Sequence, residues 1–427
     1  GPLHAARAVL QRRGIRPRGG IVSPPAQPSR PPWTASFAHL DRAFAADPTP
    51  RWAALRASCP VAHSDRYGGM AVITRWDDIA HVARDTDTFT SRRTAVSDVP
   101  TSARGLQLPP INLDPPRHTQ VRQMLLPFFS PNAIAAWEPK IRNICGARLD
   151  AITGSQCDAA NDYAQHIPTE VTAAMLGVPE SEGEYFRTWI KTLLEVAPHD
   201  ADVQRAATAE MLDYMAALVA ERKQRPTATP DAVSYLLSQE LDGRPIPDEE
   251  IAATLWLLLL AGIDTTWSSI GAALFHLASN RHDRRRLVAE PELVPTAVEE
   301  LLRAYAPVLT ARIANRDTTV GGCPVSEGDW LLLAYPSICR DEAVFDRPDE
   351  ILIDRTRNRH AAFGLGVHRC IGSNLARLEM RVALQMWLER FPDFELIDPS
   401  SVQWSPGQIR GPRSVLVELH LRQSTAQ

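Results

Sequence analysis

Lysine is nearly absent from this 427-residue chain: only Lys140, Lys191 and Lys223 occur among its 46 basic side chains, and the rest are arginines. Set against 50 acidic residues, these leave a formal charge of −4. So even a balance gives no electrostatic case for nucleic acid as a partner, and the arginine preference reads as a composition bias rather than a binding surface. Paired cysteines are also missing. Cys59, Cys145, Cys157, Cys323, Cys339 and Cys370 form no C-x-x-C, which argues against a zinc ribbon or a dithiol redox site. The longest apolar run, 251–263, is broken by Thr254 and stops at Asp264. That is short of the roughly 20 residues a membrane span needs. No apolar signal-peptide core is visible, so a reducing cytoplasm is the expected location. Glycine is scarce beside proline, 22 against 35, which fits rigid turns in a mainly helical chain.

What is present is a globular composition, 44% hydrophobic and 22% charged, in a chain long enough to bury a large core without disulfides. Residues 1–32 read as a disordered extension. They carry six arginines and no acid, and residues 23–32 are Pro-rich. An arginine-rich, acid-poor leader is also the composition of a transit peptide, but Pro17, Gly19 and Gly20 cut the amphipathic stretch short. From residue 33 to 427 no linker divides the chain, so one large domain is expected, mainly α with a small β region. A turn and strand are expected over 67–74 and helices over 76–84, 117–128, 133–153, 169–175, 181–196, 203–222 and 230–239. A long apolar helix should cover 247–279, another 291–305 and a last one 372–391. Two short strands are expected at 318–325 and 329–334, and an edge strand at 414–421.

The stretch Phe363-Gly364-Leu365-Gly366-Val367-His368-Arg369-Cys370-Ile371-Gly372 carries the most chemistry. Gly364 and Gly366 let the backbone approach something flat and bulky. The loop delivers one cysteine just before a helix, where amide N–H groups and the helix dipole favour a thiolate. A lone cysteine suits a metal whose other ligands come from a cofactor, and haem iron fits, since the porphyrin supplies four nitrogens. Inside the apolar helix, Ala261-Gly262-Ile263-Asp264-Thr265-Thr266 places an acid and hydroxyls where unpaired burial would cost several kcal/mol. Such a violation marks a functional site, or else a kink in which Thr265 bonds back to the carbonyl four residues earlier. Glu300 and Arg303 are three apart on one helix face and can pair. His118 and Arg122 are four apart, hence also on one face.

These segments, in this order, resemble the cytochrome P450 family of haem-thiolate monooxygenases over essentially the whole ordered chain. The resemblance implies a single-domain fold with haem b held between the long central helix and the cysteine loop. It makes Cys370 the axial iron ligand, with Phe363 and Gly364 in the same loop. It makes His118, Arg122, Arg312 and His368 the partners of the haem propionates, with His360 a weaker extra candidate. Asp264 and Thr265 become the acid–alcohol pair that delivers protons during oxygen activation. Glu300, Arg303 and Arg355 become a buried structural triad, although Ile351 stands where the family usually has Phe. By helix phase Leu257, Ala261 and Thr265 should face the haem. The remaining pocket walls should fall in 90–108, 193–199, 308–310 (Leu309 and Thr310 among them) and 408–409.

The activity implied is insertion of one oxygen atom from O2 into a small organic substrate, by hydroxylation, epoxidation or oxidative dealkylation. No flavin or nicotinamide region is evident, so electrons should come from a ferredoxin and an NAD(P)H-dependent ferredoxin reductase. Arg369, Arg377 and Arg381 either form a docking face for an acidic partner or are solvated helix charges. Two alternatives remain open at this level: a peroxide-driven peroxygenase, and a catalytically silent relative that recruits partners.

Overall fold

The computed structural model describes residues 34–59, 61–97, 107–227 and 231–420. The expected extension over 1–32 lies outside them, as do Trp33 and the chain from Leu421 onward.

The helix Asp248–Ser279 organises the molecule. Asp248, Glu249 and Glu250 fill its first turn, where carboxylates complement the helix dipole. It is apolar on all sides because neighbours surround it: the helices His166–Leu176, Ala201–Gln224 and Ser373–Arg390 all pack against it. Its 32 residues are long and apolar enough to cross a bilayer, beyond what the interrupted run 251–263 suggests, yet 72% of its most apolar window is buried inside the fold. It is a core helix. Its hydroxyls are satisfied locally: Thr254 donates to the Glu250 carbonyl at 2.8 Å and Ser269 to the Thr265 carbonyl at 2.8 Å, the back-bonding that lets polar side chains sit in apolar surroundings.

The helix Trp76–Arg84 falls where the periodicity predicts. The expected helix over 133–153 is broken into Pro131–Ala135 and Glu138–Ala151, each with Pro in its first turn, where the missing N–H costs nothing. A five-stranded sheet runs in the order Val61–Ser64, Met70–Ile73, Trp330–Leu333, Thr310–Ala314, Phe89–Thr90. Two strand expectations need correction. Residues 318–325 are not one strand but a hairpin, Thr318–Val320 against Cys323–Val325, because Gly321 and Gly322 both take positive φ. The last strand, Leu416–Leu419, is not an edge: it lies between Phe394–Leu396 and Gln156–Asp158.

Arg312 pairs with Leu331, and its strand Thr310–Ala314 lies between Trp330–Leu333 and Phe89–Thr90, so Arg312 is fixed on an interior strand. Below the central helix, Glu300 and Arg303 are both fully buried. Arg355 donates through Nε to both Glu300 oxygens at 3.0 and 3.1 Å. Arg303 also donates to the carbonyls of Cys339, Pro348 and Glu350. The triad thereby ties one helix to the segment leading into the cysteine loop.

Candidate active site

The cysteine loop is closed by the Cys370 amide donating to the Phe363 carbonyl at 2.8 Å. Gly366 has φ +71°, and a Cβ there would stand 2.0 Å from the Ala83 carbonyl oxygen; the loop lies directly on the end of the Trp76–Arg84 helix. Arg377 stacks on the Phe363 ring at 4.4 Å and donates to Glu299 at 2.6 and 2.9 Å. His360 joins the same carboxylate at 3.0 Å. Burial would raise the Glu299 carboxyl, but hydrogen bonds from His360 and Arg377 hold it at about 2. His360 is therefore part of this brace rather than a free donor. Arg381 pairs with Glu138 at 2.7 Å. Of the three arginines around the loop, two are engaged in ion pairs, and Arg369 is the exposed one.

Cys370 opens on a cavity of about 290 Å³ rather than on bulk water. Burial raises its thiol, while the Gly372 amide and the charges of Arg122, Arg369 and Arg377 pull it down. A cation coordinated there would complete that pull. Cys145, Cys157 and Cys339, by contrast, are pushed up to about 12 by burial and are inert packing thiols.

At one end of the cavity four cationic or donor side chains converge, and the nearby Asp114 carboxylate is taken by the Thr90 hydroxyl and the Ser91 amide. The His118 and His368 rings lie 4.1 Å apart. Neither ring nitrogen of His118 has a partner, nor has Nε2 of His368. Burial lowers His118 to about 4 and His368 to about 2, so both are neutral. Arg312 is 4% exposed and donates to the Ala311 carbonyl at 2.7 Å. Arg122 donates to the Arg369 carbonyl at 2.5 Å. Among the described residues neither arginine has an ion-pair partner. Buried, unpaired donors of this kind cost free energy unless something accepts from them. Two carboxylates would satisfy all four, and the glycine-bounded floor with a single thiol fits a porphyrin between them. Phe363 and Gly364 line the same cavity.

The opposite wall is the central helix. Leu257, Ala261 and Thr265 line the cavity, as their helix phase requires, together with Gly262 and Thr266. A Cβ on Gly262 would lie 3.1 Å from Thr172 Oγ1, so glycine lets the two helices close up. The Thr265 hydroxyl donates to the Ala261 carbonyl at 2.7 Å. Asp264 is buried but is not on the cavity wall. It faces Arg413, with oxygens 2.8 and 3.2 Å from the two guanidinium Nη atoms. Val308 and Thr310 line the cavity, but Leu309 does not: consecutive residues of an extended segment point to opposite faces, and Leu309 packs with Phe37, Phe44 and Trp52. Residues 193–199 and 408–409 are also off the wall. Part of the expected 90–108 loop, 98–106, lies outside the described residues, and Thr94 from the remainder reaches the cavity.

Three residues were not singled out from the sequence. Arg413 has no local signal, since it lies 149 positions from Asp264. Tyr335 lines the cavity and accepts from the Leu365 amide at 3.4 Å. Glu379 also lines it, fully buried, with one carboxyl oxygen unpartnered and its proton affinity raised well above the usual range by burial. An acid on the apolar face of the 372–391 pattern, between Leu375, Leu378 and Val382, is the signal that could have found Glu379.

A cysteine opening on a cavity beneath a long helix, with unpaired basic donors at the cavity's far end, defines a haem-thiolate architecture. The comparisons agree. The family model for cytochrome P450 matches residues 66–408. Mycinamicin IV hydroxylase/epoxidase of Micromonospora griseorubida is 33% identical over 356 residues, covering 81% of this chain and 89% of that protein. Among solved structures, the P450 PksS of the Bacillus subtilis bacillaene polyketide synthase aligns with TM-score 0.82 and 29% identity over 90% of this chain and 99% of its own. A mutant of P450 EryK in complex with erythromycin B aligns at 0.80 and 30%, covering 88% and 97%. The chain belongs to the cytochrome P450 family. It is a monooxygenase whose cofactor is protoporphyrin IX haem.

Proposed function

We propose that this monooxygenase takes a neutral, largely apolar organic substrate and draws its electrons from a cytoplasmic ferredoxin and ferredoxin reductase. The observation that carries the site assignment is Cys370: the one exposed cysteine among the described residues, it opens on a cavity whose far end holds unpaired basic donors. Cys370 would ligate haem iron, at which dioxygen is activated with two electrons. Arg122, Arg312, His118 and His368 would hold the two propionates by charged and neutral hydrogen bonds. Leu257, Ala261, Val308 and Thr310 would shape the apolar space above, excluding water from the reacting carbon. Asp264 and Thr265 would move protons into that space. Retention of this pair supports an O2-driven enzyme over one driven by peroxide.

The test is spectroscopic. Reduced protein with carbon monoxide should show the strongly red-shifted Soret band of a thiolate ligand, and Cys370→His should lose it. A thiolate-type band retained in the variant would end the assignment. Product yield with a ferredoxin–reductase pair, compared with peroxide alone, tests the electron source.

A further inference from the structure

Asp264 is held by a cation that it does not have to itself. Arg413, on the strand Pro412–Ser414, spreads its guanidinium between two acids. Nη1 and Nη2 contact the Asp264 carboxylate at 2.8 and 3.2 Å, and Nε donates to Glu195 at 2.7 Å. The guanidinium carbon lies 4.5 Å from the Trp267 ring centroid, and Nη1 is 3.4 Å from the Ser268 hydroxyl. An arginine fork can serve two carboxylates in one plane because its donors are fixed relative to one another. Turning toward one acceptor therefore weakens its hold on the other.

The two acids differ in setting. Asp264 belongs to the buried central helix, and its side chain is 2% exposed. Glu195 is 22% exposed and sits in the π turn Thr192–Val196, between the helix Gly183–Lys191 and the turn Ala197–His199. π turns of this kind are frequent at functional sites, and Val196 beside it is half exposed. Glu195 is thus the more accessible of the two acids, and Asp264 the buried one.

We propose that Arg413 is a positioning residue for the proton relay, and that Glu195 regulates it by drawing the guanidinium partly off Asp264. A shift of the 192–196 turn would then decide how firmly Asp264 is held away from the cavity. This rests on the reading of Asp264 as a proton carrier. The charges support it: burial raises the Asp264 carboxyl, Arg413 lowers it, and Glu195 raises it again. A relay acid works best when its proton affinity lies near the working pH, and the pull of Arg413 opposes the rise that burial imposes on Asp264.

The test uses the haem-loaded protein and any compound that gives a low-spin to high-spin shift. Glu195→Gln keeps the shape of the side chain and leaves the guanidinium to Asp264. It should slow turnover by roughly three- to tenfold and enlarge the solvent deuterium isotope effect, with haem content and spin shift unchanged. Arg413→Lys should keep most activity. Arg413→Gln should produce an infrared carbonyl band of a protonated carboxyl, absent from the Arg413→Gln/Asp264→Asn double variant. Wild-type turnover and isotope effect in Glu195→Gln, beside a crippled Asp264→Asn, would overturn the inference alone. An Asp264→Asn protein with undiminished coupling would overturn the relay reading and the inference together.

Discussion

Arg303 grips Glu300 through two parallel hydrogen bonds of 2.8 Å, Nε to one oxygen and Nη2 to the other, with neither side chain exposed. Glu300 also accepts from Arg355, from Asn358 at 3.0 Å and from the Leu352 amide at 2.8 Å. No solvent can replace these partners. Removing one side of a buried, fully bonded pair costs roughly 3–5 kcal/mol, because the other charge is left uncompensated. Glu300→Ala should therefore unfold at a much lower temperature and give little soluble haem protein. Arg303→Lys should be nearly as damaging, since an ammonium cannot reproduce the fork or reach the three carbonyls together. A melting temperature within a degree or two of wild type in either variant would contradict this.

Haem retention should depend more on Arg312 than on Arg122. Arg312 is rigidly placed on an interior strand and nearly inaccessible, whereas Arg122 is only partly buried and already rests on the Arg369 carbonyl. A charged hydrogen bond to a propionate contributes roughly 1.5–3 kcal/mol. Arg312→Ala should accordingly lose haem to an excess of apomyoglobin at least about tenfold faster, with circular dichroism unchanged. Arg122→Ala should lose it faster by a smaller factor. Equal and unchanged loss rates in both would remove the propionate assignment.

How much of this was legible beforehand follows from the range of the physics. The central helix, the cysteine loop and the Glu300–Arg303 pair are local patterns, carried by residues three or four apart or by a loop bounded by glycines. They are readable because helix phase and glycine conformation act over a few residues. Leu309 failed because a two-residue period changes face at every position, so naming the segment 308–310 does not say which member points inward. The hairpin at 318–325 differs from the single strand expected there because the chain reverses at Gly321-Gly322, both with positive φ. Arg413 and the central place of Leu416–Leu419 depend on what the fold brings together from far apart, and no local period encodes that.

Glu379 gives the protein a pH dependence of defined sign. Its carboxyl is buried without a compensating charge, so the native state keeps the proton above the ordinary value of 4.5. The unfolded chain releases it above that value. Between the two, the native state binds more protons, and stability must fall as pH rises, by up to about 1.4 kcal/mol per unit from this group alone. Glu379→Gln keeps the volume and removes the titration. Its unfolding midpoint relative to wild type should therefore improve between pH 5 and pH 8. Parallel midpoints over that range would show that Glu379 is ionised in the folded protein.

The hydroxyl of Thr265 lies on the cavity wall, while its neighbour Asp264 faces away toward Arg413. If the two form a relay, Thr265 is the delivering end and Asp264 the supplying end. Neither binds substrate in bulk, and neither touches the cysteine loop. Removing the hydroxyl should leave spin shift and iron reduction intact. It should divert electrons: Thr265→Ala should consume reducing equivalents at near the normal rate, release hydrogen peroxide and form less oxidised product. Thr265→Ser, which retains the hydroxyl, should recover most of the coupling. Asp264→Asn should slow turnover itself, by roughly 10²-fold, the lower end of what a positioned proton donor supplies. The purely structural alternative makes the opposite forecast. The Thr265 bond to the Ala261 carbonyl at 2.7 Å is a helix back-bond of the kind Thr254 and Ser269 also make. If that were its whole task, Thr265→Ala would alter thermal stability by a fraction of a kcal/mol and leave the ratio of product to electrons untouched. Measuring that ratio and the melting temperature on the same preparations decides between the two.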